Sequence, residues 1–213
     1  MNTSLVQELR DELVHQADPQ TKASSQRFFK QEVKCYGVKT SIVQKIAQRY
    51  FVRLKGTDKK EILSLCEELL RSGYSEEAWI AANWAYWIPD KKESEDILMY
   101  ERWISQYIDD WAKCDTLCNH TLGAFIEEFP EYVYTLKQWA RSNNRWLRRA
   151  AAVSLIIPAK EGKFLGDIFE ITDILITEGE DLVQKGYGWL LKEASRQHQK
   201  EVFEYVMRNK HLM

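Results

Sequence analysis

The chain has 213 residues, 45% of them hydrophobic and 29% charged, with 30 basic against 32 acidic side chains. That apolar mass suffices for a sizeable core, carried by one domain or one continuous array. The near-neutral balance excludes a strongly basic nucleic-acid binder, so any such role must rest on local clusters of charge. No run of about 18 apolar residues occurs, so no membrane span is expected. The N-terminus shows no apolar block of the signal-peptide kind. Cys35, Cys66, Cys114 and Cys118 are scattered, and the last two stand one helical turn apart, which suits packing better than a disulfide or a zinc knuckle. A reduced, cytoplasmic protein is expected. His15, His120, His198 and His211 share no metal-ligand spacing, and neither metal nor cofactor is expected.

Period-two runs of β-branched residues are absent, so the expected fold is all-α. Residues 3–16 form an amphipathic opener with Leu5, Leu9 and Leu13 on one face, broken by Asp18-Pro19. A short helix over 22–30 carries Arg27, Phe28 and Phe29. A loop at 36–40 follows, with Thr40 capping a helix over 41–54 that Gly56 ends. Asp58-Lys-Lys-Glu61 is a capping box opening 59–72, which Gly73 closes. Ser75 caps 76–88 and Pro89 stops it; Asp90-Lys-Lys-Glu93 is a second capping box opening 91–107. One long helix spans about 110–128, and further helices follow over 131–141, 145–157, 166–178, 180–196 and 199–210.

These helices come in pairs. Equivalent points in the second helix of each pair lie near 79, 114, 147 and 183, separated by 35, 33 and 36 residues. Stacked helix pairs of that period predict a single α-solenoid domain over 1–213, with the second helices lining a concave inner wall.

The helix over 110–128 organises the functional reading. Cys114, Leu117, Cys118, Thr121 and Phe125 fall on one arc at 3.6 residues per turn. Trp111 and Asp115, four apart, project together at its border. An ionised group beside apolar surface is costly unless something pairs with it, which marks Asp115 as the chemical centre. On 145–157, Arg145, Arg148 and Arg149 lie opposite the apolar face. They are either a solvated edge or a phosphate-binding surface, since guanidinium pairs bidentately with phosphate. On 180–196, Lys185, Trp189, Lys192 and Arg196 share a face. That face is either a packing anchor with snorkelled lysines or a stacking platform in a basic groove. Trp79, Trp84, Trp87, Trp103, Trp139 and Trp146 fit apolar faces and read as core.

A carboxylate, two indoles and nearby cations suit one reaction. A purine alkylated on a ring nitrogen leaves as a neutral base, so no strong general acid is needed. Positive charge develops on the sugar, and a carboxylate can stabilise it and orient water. Indole faces attract a cationic nucleotide, and basic side chains hold phosphates.

In Trp111-Ala-Lys-Cys-Asp115, Trp146-Leu-Arg-Arg149-Ala-Ala and Gln184-Lys-Gly-Tyr-Gly-Trp189 the chain resembles the HEAT-like-repeat DNA alkylation-repair glycosylases. The likeness covers nearly the whole length, from Arg27-Phe28 to the C-terminal helices. It implies an α-solenoid acting on double-stranded DNA that carries bulky or cationic alkylpurines such as 3-methyladenine and 7-methylguanine. It implies Asp115, Trp111 and Trp189 as the catalytic set. It implies Arg149 and Phe28 near the DNA, and the basic residues Arg148, Arg145, Lys185, Lys192 and Lys39 are expected to bind DNA with them. Asp181-Leu182 stand where active members carry aromatics bordering DNA, and the chain ends soon after the 199–210 helix, where longer relatives continue. A monomer is expected. Two other functions fit the same residues: a family member that binds bent or branched DNA without catalysis, and a helical-repeat scaffold for protein partners.

Overall fold

A computed structural model describes residues 3–89 and 92–213. Among the described residues every regular element is helical, as expected, and each of two compact units, Met1–Lys91 and Lys92–Met213, is built from the helix pairs of an α-solenoid. No described helix is long and apolar enough to cross a membrane.

The first unit holds α1 (Thr3–His15), α2 (Pro19–Gln26), α3 (Thr40–Val52), α4 (Lys59–Arg71) and α5 (Ser75–Trp87). Leu5, Leu9 and Leu13 of α1 are buried, as are Val43, Ile46 and Ala47 of α3, and these two helices pack together. The Trp84 indole of α5 donates to the Ala47 carbonyl at 2.9 Å, locking α5 to α3. The Asp58 carboxylate accepts from the Lys60 N–H at 3.2 Å, the expected cap of α4.

Three helix starts in the first unit differ from the sequence reading. The helix expected over 22–30 runs Pro19–Gln26, because Asp18 caps it through the Thr21 N–H at 2.8 Å with Pro19 in the first turn. Phe28 therefore lies beyond the helix and is 74% exposed. Thr40 is not the cap of α3 but its first residue. Ser75 likewise opens α5, and its hydroxyl donates to the Lys34 carbonyl.

The loop before α3 is held from a distance. The buried Glu76 carboxylate of α5 accepts from the backbone N–H groups of Tyr36, Gly37 and Val38 at 3.0, 2.8 and 3.1 Å. Gly37 takes φ +91°, and a Cβ there would sit 2.7 Å from the Lys22 Cβ and 2.8 Å from the Asp18 carbonyl. Gly37→Ala should cost about 2–4 kcal/mol, from left-handed backbone plus overpacking against main chain. Urea melts that leave it within about 0.5 kcal/mol of wild type, the ordinary scatter of surface changes, would contradict this.

The second unit holds α6 (Asp96–Tyr107), α7 (Trp111–Thr116), α8 (Gly123–Glu128), α9 (Val133–Trp139), α10 (Arg145–Val153), α11 (Ile156–Lys160), α12 (Leu165–Leu175), α13 (Asp181–Ala194) and α14 (Gln199–Asn209). The second capping box falls partly outside the described residues; α6 begins at Asp96 rather than 91, and the Glu93 N–H donates to the Asp96 carboxylate at 3.0 Å. The long helix over 110–128 is continuous but not uniform. Between α7 and α8 the backbone widens into a π-helix over Leu117–Leu122. Cys114, Leu117, Cys118, Thr121 and Phe125 are nevertheless all buried, as their spacing predicts.

The helix expected over 145–157 breaks at Ser154-Leu155 into α10 and α11. Pro158 has no N–H for the Ser154 carbonyl four residues back, and its ring crowds that oxygen. The carbonyl turns instead toward α8, where a Cβ on Gly123 would lie 3.0 Å from it. Within this unit α10 packs against both α7 and α13, so three second helices lie side by side. The tryptophans read as core divide: Trp84, Trp103, Trp139 and Trp146 are buried, while Trp79 and Trp87 are half-buried.

Candidate active site

The site grows from two N-caps. The Asp110 carboxylate accepts from the Lys113 N–H at 2.9 Å and starts α7, placing Trp111 at its first position. The Asn144 side-chain oxygen Oδ1 accepts from the Trp146 N–H at 2.8 Å and starts α10. The Cys114 thiol donates to the Trp146 carbonyl, tying the two helices beside the next residue, Asp115.

Asp115 does not stand alone. Arg149 of α10 donates from Nε to Oδ1 and from Nη2 to Oδ2, both at 2.8 Å, a two-point pair that fixes the carboxylate plane. The third nitrogen of the fork, Nη1, donates to the Leu182 carbonyl in the first turn of α13. The Arg149 side chain is 6% exposed and that of Asp115 15%. Burial pushes the Asp115 carboxyl up from the ordinary aspartate value; Arg149 pulls it back, and the neighbouring Asp110 charge adds to the rise. Arg149 is held firmly protonated: burial works against its charge, and the bonds to Asp115 outweigh that.

α13 can approach Arg149 because position 186 is glycine. A Cβ on Gly186 would already lie 3.5 Å from the Arg149 Cγ and 3.6 Å from Nη1, so a longer side chain would lever the helix away. Leu182, Gly186, Trp189 and Glu193, at spacings of four, three and four, share the side of α13 that meets Arg149. Trp189 is half-buried, and its Nε1 donates to the Glu193 carboxylate at 3.2 Å. Glu193 is itself buried and also accepts from Arg196. Burial raises its carboxyl, but the bonds from Arg196 and Trp189 outweigh it and hold the acid below its ordinary value. Trp111, one turn before Asp115, is also half-buried.

The remaining basic candidates are half-buried or exposed, and most are engaged. Arg148 donates to Glu178 and to the Ser142 carbonyl. Arg145 lies over the Trp146 ring at 4.8 Å and 3.8 Å from Glu180. Lys185 pairs with Asp181 at 2.9 Å, one turn back on α13. Lys192 is exposed and has no ion-pair partner among the described residues. Phe28 and Lys39 are exposed in the first unit.

Several contributors escaped the sequence reading. The Leu182 carbonyl and Gly186 complete the Arg149 cradle, and backbone atoms and glycines leave no charge signal. Lys113 is buried between Asp109 at 2.6 Å and Asp110 at 3.4 Å. Its spacings of four and three from those acids were a usable sign. Among the described residues no group of three or more His, Cys, Asp or Glu side chains could hold a metal ion. The four cysteines are buried and unbridged.

The fold is similar to a solved structure described as a predicted DNA alkylation repair enzyme from Enterococcus faecalis, with a TM-score of 0.81 at 18% identity, over 91% of this chain and 90% of that one. At that identity the likeness speaks for the fold alone. No curated protein matches the sequence. The family model described as DNA alkylation repair enzyme matches residues 9–213, nearly the whole length, and the chain belongs to that family.

Proposed function

We propose that this protein is a DNA glycosylase that removes cationic alkylated purines, such as 3-methyladenine and 7-methylguanine, from double-stranded DNA, with residues 1–213 working as one HEAT-like repeat domain and as a monomer. The observation that carries the reading is the Asp115 carboxylate, mostly buried, held in one orientation by Arg149, yet still partly open to solvent.

In the proposed reaction the C1′–N bond breaks and its electron pair neutralises the purine. The sugar is left as an oxocarbenium ion. Asp115 stabilises that charge and orients a water whose oxygen adds to C1′ and whose proton passes to the carboxylate or solvent. An abasic site and a free neutral base result. Each Asp115 oxygen accepts one bond from Arg149 and keeps a second lone pair for this work. Trp111 and Trp189 wall the nucleotide through their ring faces.

Arg149 receives a positioning role here rather than the phosphate contact its sequence suggests. Its fork is buried and taken up by Asp115 and Leu182. Lys185, Lys192, Arg145, Arg148, Phe28 and Lys39 remain for DNA. Most of these cations already have carboxylate partners, so affinity should be modest and should fall steeply with salt.

The test is incubation with methylated duplex DNA and detection of free base. Release of 7-methylguanine or 3-methyladenine above the protein-free rate is the expected result. Binding without release would favour the non-catalytic reading, which draws support from Arg149 already neutralising the Asp115 charge.

A further inference from the structure

α13 carries two glycines in its interior, and only one has an internal reason. Gly186 packs on Arg149. Gly188 is exposed, and a Cβ built there meets nothing within 4 Å. Its backbone is ordinary right-handed helix, so no positive φ requires glycine. A glycine at such a position weakens the helix and returns no packing. Nothing within the chain keeps a side chain out of that space.

The neighbours say what kind of partner would fit. Lys185 and Lys192 stand three residues before Gly188 and four after, so all three share a face. Both lysines are exposed, and Lys192 has no ion-pair partner among the described residues. Trp189, half-buried, borders the same stripe, and Arg196 extends it by another turn. A bare patch of helix backbone between two cations and beside an indole suits a sugar–phosphate chain that passes close to the helix axis. Phosphates then reach the lysines and a sugar or base reaches the ring.

We infer that Gly188 is the point of closest approach of the DNA backbone to α13, and that its missing side chain sets how deeply a strand seats against Trp189. This rests on the glycosylase reading and adds a positioning residue to it.

The test compares Gly188→Ala and Gly188→Leu with wild type in the full chain. Three readouts are needed: thermal melting, affinity for a methylated duplex oligonucleotide by fluorescence anisotropy, and release of 7-methylguanine. Because the added methyl meets nothing in the protein, Gly188→Ala should melt about 2–4 °C higher through helix propensity. DNA affinity and release should nonetheless fall about tenfold, as expected for a methyl forced into a close contact, with Gly188→Leu worse. A more stable variant with unchanged affinity and release overturns the inference while leaving the glycosylase reading intact. A variant less stable than wild type also overturns it, since the chain itself would then need the glycine. Wild-type protein that neither binds the duplex nor releases base removes the glycosylase reading and this inference with it.

Discussion

Asp115→Asn lowers release of 7-methylguanine or 3-methyladenine from methylated DNA at least ~100-fold, the lower range for loss of a key electrostatic group. The substitution keeps the shape and removes the charge. One amide oxygen still accepts from Arg149, but the amide nitrogen faces a guanidinium donor and cannot. The variant therefore loses both the stabilising charge and the two-point hold on its plane. Acid should act in the same direction on the wild type. Burial raises the Asp115 carboxyl above its ordinary value, so the enzyme-dependent rate should start to fall at a pH above about 4, the reference aspartate value. Asp115→Asn should lack that acid limb, after subtraction of the protein-free rate at each pH. Wild-type release from a folded Asp115→Asn protein would defeat the assignment of the chemical centre.

Most of the fold was legible because its signals are local. Asp58 and Asn144 occur where a cap is needed, Gly73 and Pro89 where a helix stops, and burial of Cys114, Leu117, Cys118 and Phe125 follows from spacing alone. The misread boundaries at Thr40 and Ser75 have a non-local cause. Glu76 in α5 orders the loop that leads into α3, across about forty residues of chain, and the Ser75 hydroxyl turns to Lys34 rather than capping its own helix. The π-helix over Leu117–Leu122 has no composition signal at all.

The candidate site divides along the same line. Asp115 could be singled out because one helix's period places a carboxylate against apolar surface. The partnership of Arg149 could not. On the wheel of its own helix Arg149 shares an outward arc with Arg145 and Arg148, and nothing in that period shows that α13 covers part of the arc. The structure buries Arg149 under Gly186 and leaves its two neighbours at the edge, paired with Glu178 and Glu180. A basic arc that read as either a solvated edge or a phosphate-binding surface thus divides: a buried fork that aims a carboxylate, and two half-buried arginines paired with acids.

Arg149→Met is the second large effect, and it is on stability. Methionine fills much of the space of the stem but leaves the Asp115 carboxylate mostly buried with no counter-charge and removes the bond to the Leu182 carbonyl. Breaking one side of a buried ion pair costs about 3–5 kcal/mol. In a chain of this length that lowers Tm by roughly 10 °C. The loss must depend on pH. In the variant the folded carboxyl titrates above its unfolded value, with nothing left to pull it back. Between those two values the native state holds more protons than the unfolded state, so stability falls as pH rises through the window. The gap in Tm between wild type and Arg149→Met should therefore be wider at pH 8 than at pH 5. Asp115→Leu placed in the same chain should recover much of the loss, because removing both charges leaves no unpaired group to bury. The double variant would still release no base, which separates the structural work of the pair from its chemical work. An Arg149→Met protein that melts within a degree or two of wild type at pH 8, a shift worth under about 1 kcal/mol, would mean that the carboxylate does not depend on that fork. The positioning role would then fall, whatever Asp115 does to DNA.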